Sequence, residues 1–197
     1  MFINTLIQNP VFFFRYIAIL IISITLHELC HGVVAMAQGD NTPKKAGHIT
    51  LNPVVHMGWQ SIIFLCIAGI SWGQMPINPN KFRNGRISDF LVSVAGPLCN
   101  LALGFILIGL LLSFYNSEIV STEFLHLAAR VNLTLFFLNI LPIPPLDGFH
   151  IFCSFFPSFK PFQDSPIGMF GLIIIFLVPG FAEGLVMLSE LIIRSFL

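Results

Sequence analysis

The chain alternates long apolar runs with short polar, turn-rich connections, and this pattern predicts most of its architecture. After a short lead ending at Pro10, residues Val11 to Ala37 run almost without polar interruption, which at about 1.5 Å per residue is enough for one membrane-crossing helix. Gln38 to His56 is polar and carries the turn formers Gly39, Asp40, Asn41, Pro43, Gly47, Asn52 and Pro53. Within it, Gly47-His48-Ile49-Thr50-Leu51 alternates and contains β-branched residues, predicting a short extended segment or hairpin rather than a helix. Met57 to Trp72 is apolar but barely long enough to cross, and a Gly/Pro-rich limb follows it to Asn80. Lys44 and Lys45 precede this stretch and Lys81, Arg83 and Arg86 follow it. Positive flanks favour the cytoplasmic side, so residues 57–86 read as a re-entrant excursion, two separate spans being the alternative. The return limb is tolerable at membrane depth only when buried in protein or lining a wet cavity.

Ile87 to Phe114 is a further span, with the small residues Ala95 and Gly96 and the polar Asn100 in its first half. Tyr115 to Glu123 holds two carboxylates, Glu118 and Glu123, and no basic residue, which suits the outer face. Phe124 to Leu141 crosses back, with Arg130 expected to snorkel near the outer interface. Phe149 to Gln163 reads as a short aromatic-rich helix and loop. Ile167 to Leu188 is the last span, interrupted at Pro179-Gly180 and carrying Glu183 and, just beyond it, Glu190. The expected fold is an all-α polytopic membrane protein: one domain over residues 1–197, about four to six transmembrane or re-entrant segments, and a short membrane-associated extended segment after the first span.

Composition agrees. Hydrophobic residues make up 56% and charged residues 9%, and mean hydropathy is +0.89, a profile that excludes a water-soluble fold of this size. Net charge is zero and the basic residues form no block, so nucleic acid is not an expected partner, whereas membrane lipid is. Cys30, Cys66, Cys99 and Cys153 all lie in or beside apolar runs and read as free thiols. Ala35-Met36-Ala37 imitates a signal-peptide cleavage site, but the start lacks a basic region and a cut there would discard the chemistry described next.

That chemistry lies in the second half of the first span, at His27-Glu28-Leu29-Cys30-His31. Residues four apart share a helix face, so His27 and His31 can offer two imidazole nitrogens to one zinc ion while Glu28 reaches a metal-bound water. A hydrolytic zinc site takes three protein ligands and keeps a fourth position open. The third ligand has candidates in His48, His56, His126, His150, Asp89, Asp147, Glu183 and Glu190. Asp147 is the best of them: a lone carboxylate just after a transmembrane run is expensive unless paired or metal-bound. A solvated loop aspartate is the alternative, and the residues alone leave both open.

In this order along the chain, His27-Glu28-Leu29-Cys30-His31, Gly47-His48-Ile49-Thr50-Leu51-Asn52-Pro53 with His56, Trp72-Gly73, Pro76-Ile77-Asn78-Pro79, Ala95-Gly96-Pro97 with Asn100, and Asn139-Ile140-Leu141-Pro142-Ile143-Pro144-Pro145-Leu146-Asp147-Gly148 resemble the site-2 protease family. Members are intramembrane zinc metalloproteases that cut substrate helices within the bilayer. The resemblance implies one Zn2+ held by His27, His31 and Asp147, Glu28 as catalytic acid/base, a single-pass transmembrane substrate, and an active site nearer the cytoplasmic side of a multi-pass cell-membrane protein. The chain departs from the family pattern at Phe149, where many relatives have glycine, at His48, where arginine is common, and at Gly58, where an acidic residue is frequent. No PDZ or CBS domain of the kind some relatives carry is expected within these 197 residues. Asn139 is a candidate oxyanion or substrate contact, while Asn100 and Asn132 read more simply as interhelical hydrogen-bonding residues. Ile49, Thr50 and Leu51 are a candidate clamp for an unwound substrate. A catalytically inactive helix-binding scaffold and a membrane zinc carrier are the competing functions. Intact Glu28 argues against the first, and the clustering of polar residues at one level against the second.

Overall fold

The computed structural model describes residues 2–115, 121–163 and 165–197. Among them every regular element is helical; the acidic connection with Glu118 lies outside the described residues. A short helix, α1 (Asn4–Gln8), leads into α2 (Pro10–Ala37). Asn9 starts α2 by accepting the Phe12 amide at 3.0 Å, with Pro10 in the first helical position, where its missing N–H costs nothing. The 28 residues of α2 extend about 42 Å, more than the hydrocarbon core requires.

A one-turn helix, α3 (Thr42–Lys45), and a bent loop follow. The extended or hairpin segment expected at residues 47–51 is not formed. No neighbouring strand offers that stretch a ladder, and its polar groups are taken locally: the His48 amide by Pro43 O at 2.9 Å, Thr50 O by His56 Nε2 at 2.7 Å, and Thr50 Oγ1 by the Asn52 amide at 3.2 Å.

Helix α4 (Pro53–Ala68) begins at Asn52, which caps the Val54 amide at 3.0 Å, is interrupted at Gly58 (φ 69°), and ends at Gly69 (φ 77°). At that end the Ile3 amide reaches Ile67 O at 3.2 Å and the Tyr16 hydroxyl donates to Gly69 O at 3.3 Å, so α4 finishes beside the start of α2. Residues 70–78 then run back without turns. Ser61 Oγ receives the Trp72 amide at 2.9 Å and donates to Trp72 O at 2.7 Å. The Gln74 amide meets His56 O at 2.8 Å and the Asn78 amide meets Asp40 Oδ2 at 2.6 Å. The excursion therefore leaves from and returns to the C-terminal end of α2.

Helix α5 (Arg86–Ser113) runs antiparallel to α2, and α6 (Thr122–Asn139) antiparallel to α5. Helix α6 is the inner element. Its Leu127, Ala128 and Val131 pack with Ile19, Leu20 and Ile24 of α2 and with Met57 and Leu65 of α4. Its Leu125, Ala129 and Leu133 pack with Ile108 and Leu111 of α5. Close approach is made possible by Gly104, where a Cβ would lie 2.7 Å from Leu133 Cδ2, small residues being what brings helices together where lipid removes the usual hydrophobic drive. Helix α7 (Asp147–Phe155), a 3-10 turn (Pro157–Phe162), α8 (Pro166–Leu177) and α9 (Phe181–Arg194) complete the chain. Lys160 bonds Asp89 on α5, and Ser189 Oγ of α9 lies 2.9 Å from Thr134 Oγ1 of α6.

Among the described residues two helices, α2 and α5, are long and apolar enough to cross a membrane, and a third crossing exists if α8 and α9, bent by 76° about their break, are one span. Helix α4 is apolar but shorter, and α6 carries His126, Arg130 and Asn132, which lower its hydropathy.

Asp40 ties the return limb to the end of α2. It is fully buried and accepts the Thr42 amide at 2.9 Å as well as that of Asn78, with Lys81 Nζ at 3.9 Å. Burial pushes its carboxyl up, but the Asn78 and Thr42 donors and Lys81 together hold it below its ordinary value of 3.8. A depressed value means the stabilisation is present above 3.8 and is lost as pH falls through the folded value. Asp40→Asn is expected to lower unfolding stability in detergent by roughly 2 kcal/mol at neutral pH, from the loss of charge-assisted bonds, and the gap from wild type should narrow below pH 3.8. A pH-independent gap in unfolding titrations would contradict this account.

Candidate metal centre

One helical turn apart on α2, His27 and His31 turn buried rings toward α5. Their Nε2 atoms are 3.1 Å apart, and Asp147 Oδ2 lies 2.9 Å from the first and 3.3 Å from the second. Their opposite nitrogens are both engaged: His31 Nδ1 with Val92 O at 2.7 Å and His27 Nδ1 with Asn100 Oδ1 at 2.6 Å. A carbonyl only accepts, so the proton of His31 sits on Nδ1. For His27 the same conclusion follows through a relay. Asn132 Nδ2 donates to Ala128 O at 2.9 Å, leaving Asn132 Oδ1 to accept Asn100 Nδ2 at 3.1 Å. Asn100 Oδ1 must therefore accept, and His27 donates from Nδ1.

Both Nε2 lone pairs consequently face each other and a carboxylate oxygen. Three acceptors converging without a donor repel unless a cation lies between them. Two imidazole nitrogens and one carboxylate, with the outer nitrogens hydrogen-bonded, are the donor set of an open tetrahedral zinc site. Bonds of about 2.0–2.1 Å place tetrahedral donors about 3.3 Å apart, close to the separations here. The residues fit a metal, and this is the one cluster among the described residues able to hold one.

Local sequence explains how these groups meet. At Gly96 a Cβ would collide with Nε2 of both histidines, so this glycine is the floor of the site. A Cβ at Gly148 would strike the carbonyls of Ile140 and Leu141, and this close return of the chain sets Asp147, the first residue of α7, against α2. The connecting loop contains a cis Pro144–Pro145 bond and is closed by the Leu146 amide on Ile143 O at 2.9 Å. Glu28 is also buried, and its carboxylate lies against Gly73, where a Cβ would collide with Oε1. One turn on, Met75 covers Gly32, its Sδ 2.9 Å from where a Cβ would be, and Ile49 closes the same spot from the bent loop.

The remaining candidates lie elsewhere. His56 is buried with Nε2 on Thr50 O, His48 stacks edge-on against it at 5.9 Å, His126 pairs with Glu190 at 3.2 Å, and Asp89 pairs with Lys160. Glu183 is exposed on α9, and His150, on α7, is not among the three converging donors. Asn139, the last residue of α6, spends one N–H on Leu135 O at 3.0 Å. The Val92 carbonyl carries no signal in the sequence, and Gly73 and Gly96, visible there as small residues, are seen only in the structure to make room for Glu28 and the histidines. Asn100 is an interhelical hydrogen-bonding residue with His27 at its other end. The spacing of Gly96 and Asn100, four apart on one helix face, was the available signal.

The model of peptidase family M50 matches residues 15–122 and 114–178. The chain belongs to peptidase family M50. This is the site-2 protease family, and the M50 chain described here is a membrane metalloprotease. It is 36% identical to the "Putative zinc metalloprotease YwhC" of Bacillus subtilis over 183 residues, covering 86% of this chain and 84% of that protein. It is 31% identical over 150 residues to a protein called Rip2 in Mycolicibacterium smegmatis, covering 70% of this chain and 55% of that protein. The Rip2 of Mycobacterium tuberculosis H37Rv is 29% identical over 180 residues, 85% of this chain and 68% of its own length. No solved structure matches the chain.

Because the Gly96 floor leaves no space, Gly96→Ala is expected to reduce bound zinc to a small fraction of the wild-type content, measured by elemental analysis of purified protein. Gly109→Ala, on the same helix with nothing within 4 Å of its Cβ, should bind zinc normally.

Proposed function

We propose that this M50 peptidase is a zinc-dependent intramembrane endopeptidase that hydrolyses peptide bonds in the transmembrane segment of a single-pass membrane protein. The observation that carries the reading is the convergence of the His27, His31 and Asp147 donors beside the Glu28 carboxylate, inside an apolar bundle. His27, His31 and Asp147 are the metal ligands. A zinc ion held by them supplies Lewis acidity toward a water and toward the carbonyl it attacks. Glu28 takes the proton of the attacking water and returns it to the leaving amine. The Gly73 backbone packed on Glu28 keeps bulk water from one side of that carboxylate.

A helical substrate must unwind before its carbonyl is accessible, and the return limb suits an unwound chain. Trp72, Gln74 and Asn78 spend their amides on Ser61, His56 and Asp40. Successive residues of an extended strand turn their amides to opposite edges. The amides of Gly73, Met75 and Ile77 have no partner among the described residues and form the free edge, running past Glu28. The substrate adds along that edge, with Ile49, Thr50 and Leu51 bordering it and the second N–H of Asn139 serving the developing oxyanion. The basic residues Lys44, Lys45, Lys81, Arg83 and Arg86 at the C-terminal end of α2 orient that end to the cytoplasm. The protein is then multi-pass, with the metal nearer that side and residues 57–86 re-entrant.

In proteoliposomes with a model single-pass substrate, Glu28→Gln is expected to keep stoichiometric zinc and lose about 10²–10⁴-fold in cleavage rate, while Asp147→Ala loses both. Wild-type cleavage by Glu28→Gln would sink the general-base assignment. Ile77→Pro removes one edge donor and should raise KM several-fold with kcat nearly unchanged; an unaltered KM would move the substrate off this edge.

A further inference from the structure

The four thiols of the chain are not equivalent in the fold. Cys66 lies on α4, and Cys153, buried on α7, hydrogen-bonds Gln163. Cys30 of α2 and Cys99 of α5 hydrogen-bond each other, thiol to thiol, and both are half-buried. This contact joins two helices that are distant in sequence.

The pair sits on the outer edge of the seam between α2 and α5. Val33 and Ala37 share the stripe of α2 that carries Cys30 and are exposed, as are Ala102 and Ile106 on the stripe of α5 that carries Cys99. Residues three, four and seven apart lie on one helix face. Each sulfur therefore opens onto an apolar surface of a helix long enough to cross a membrane. Inward, the adjoining residues belong to the metal centre. Cys30 directly precedes His31, and Cys99 directly precedes Asn100, which holds His27 Nδ1 at 2.6 Å. Val92 O, on the same helix as Cys99, holds His31 Nδ1 at 2.7 Å. Helix α2 thus presents the two imidazoles and α5 orients both.

We propose that Cys30 and Cys99 are a redox site, at which a quinone dissolved in the bilayer makes a disulfide that latches α2 to α5. Both S–H bonds break and one S–S bond forms. The two electrons and two protons pass to the quinone, which leaves as the hydroquinone. Sulfurs that already share a hydrogen bond need only turn about their side-chain bonds to reach a disulfide length of about 2.05 Å. The setting selects the oxidant: a charged molecule such as glutathione disulfide stays in water, whereas a quinone enters the layer onto which these thiols open. The cross-link ties the helix carrying His27 and His31 to the helix that orients them, and so slows any parting of the two that would free a metal. That consequence rests on the metal reading above; the redox site itself does not.

The test uses full-length protein in liposomes, reduced, with its zinc content measured, and then exposed to duroquinone or to glutathione disulfide. Duroquinone is fully substituted and does not alkylate thiols. Free thiols are counted by mass spectrometry after alkylation, and cross-linked peptides are mapped. Duroquinone is expected to remove two of the four thiols and to join Cys30 to Cys99, while glutathione disulfide leaves all four. Cys66→Ser should still lose two thiols, and Cys99→Ser none. Oxidised wild type should give up zinc to a chelator at least about fivefold more slowly than reduced wild type, with no such difference in Cys99→Ser. Four thiols remaining after duroquinone, or a cross-link between any other pair, would overturn the site. Equally fast oxidation by glutathione disulfide would overturn the bilayer oxidant. One rate of zinc release in both states would overturn the latch, and a reduced protein without zinc would instead sink the metal reading.

Discussion

A relay of three hydrogen bonds, from His27 through Asn100 and Asn132 to the carbonyl of Ala128, decides where one proton sits, and the candidate centre depends on that decision. With the His27 proton held on Nδ1, its Nε2 must face the site as a lone pair. The relay crosses α2, α5 and α6, so the packing of three helices and the protonation of one imidazole are a single arrangement. It also explains how Asn100 and Asn132 can be almost wholly buried: each amide is used in both directions, and neither leaves an unmet group inside the bundle.

The return limb imposes a second constraint of the same kind. Its backbone is irregular, and Ser61, His56 and Asp40 satisfy one edge of it. Those bonds hold Gly73 and Met75 against the face of α2 that carries Glu28 and Gly32. Polar satisfaction of the loop and shielding of the chemistry are thereby achieved by the same contacts.

Much of this was legible from the order of residues. The apolar runs located α2, α5 and α6 to within two residues, and Pro179-Gly180 marked the break between α8 and α9, because a rigid φ followed by a residue free to take φ 85° cannot continue a helix. The metal-ligand candidates were legible because a helix fixes the relation of His27 to His31 without help from the rest of the fold. What was not legible depends on contacts between distant segments. The alternation at residues 47–51 predicted strand, but a strand needs a neighbour, and the chain supplies side-chain and local acceptors instead. The polarity of α6 could not be assigned to an inner helix until Asn132 and Thr134 had partners on α5 and α9.

Asp147 stands on a different helix from the two histidines, separated from them in sequence by most of the bundle, with α4, α5 and α6 in between. An ion shared by the three therefore acts as a reversible cross-link closing a very long loop. It restricts the unfolded chain and binds only the folded one, so its binding free energy adds to the stability of the whole molecule. With such an ion bound, free metal concentration would set part of the stability of the fold as well as the chemistry of the site, and a chelator would lower both.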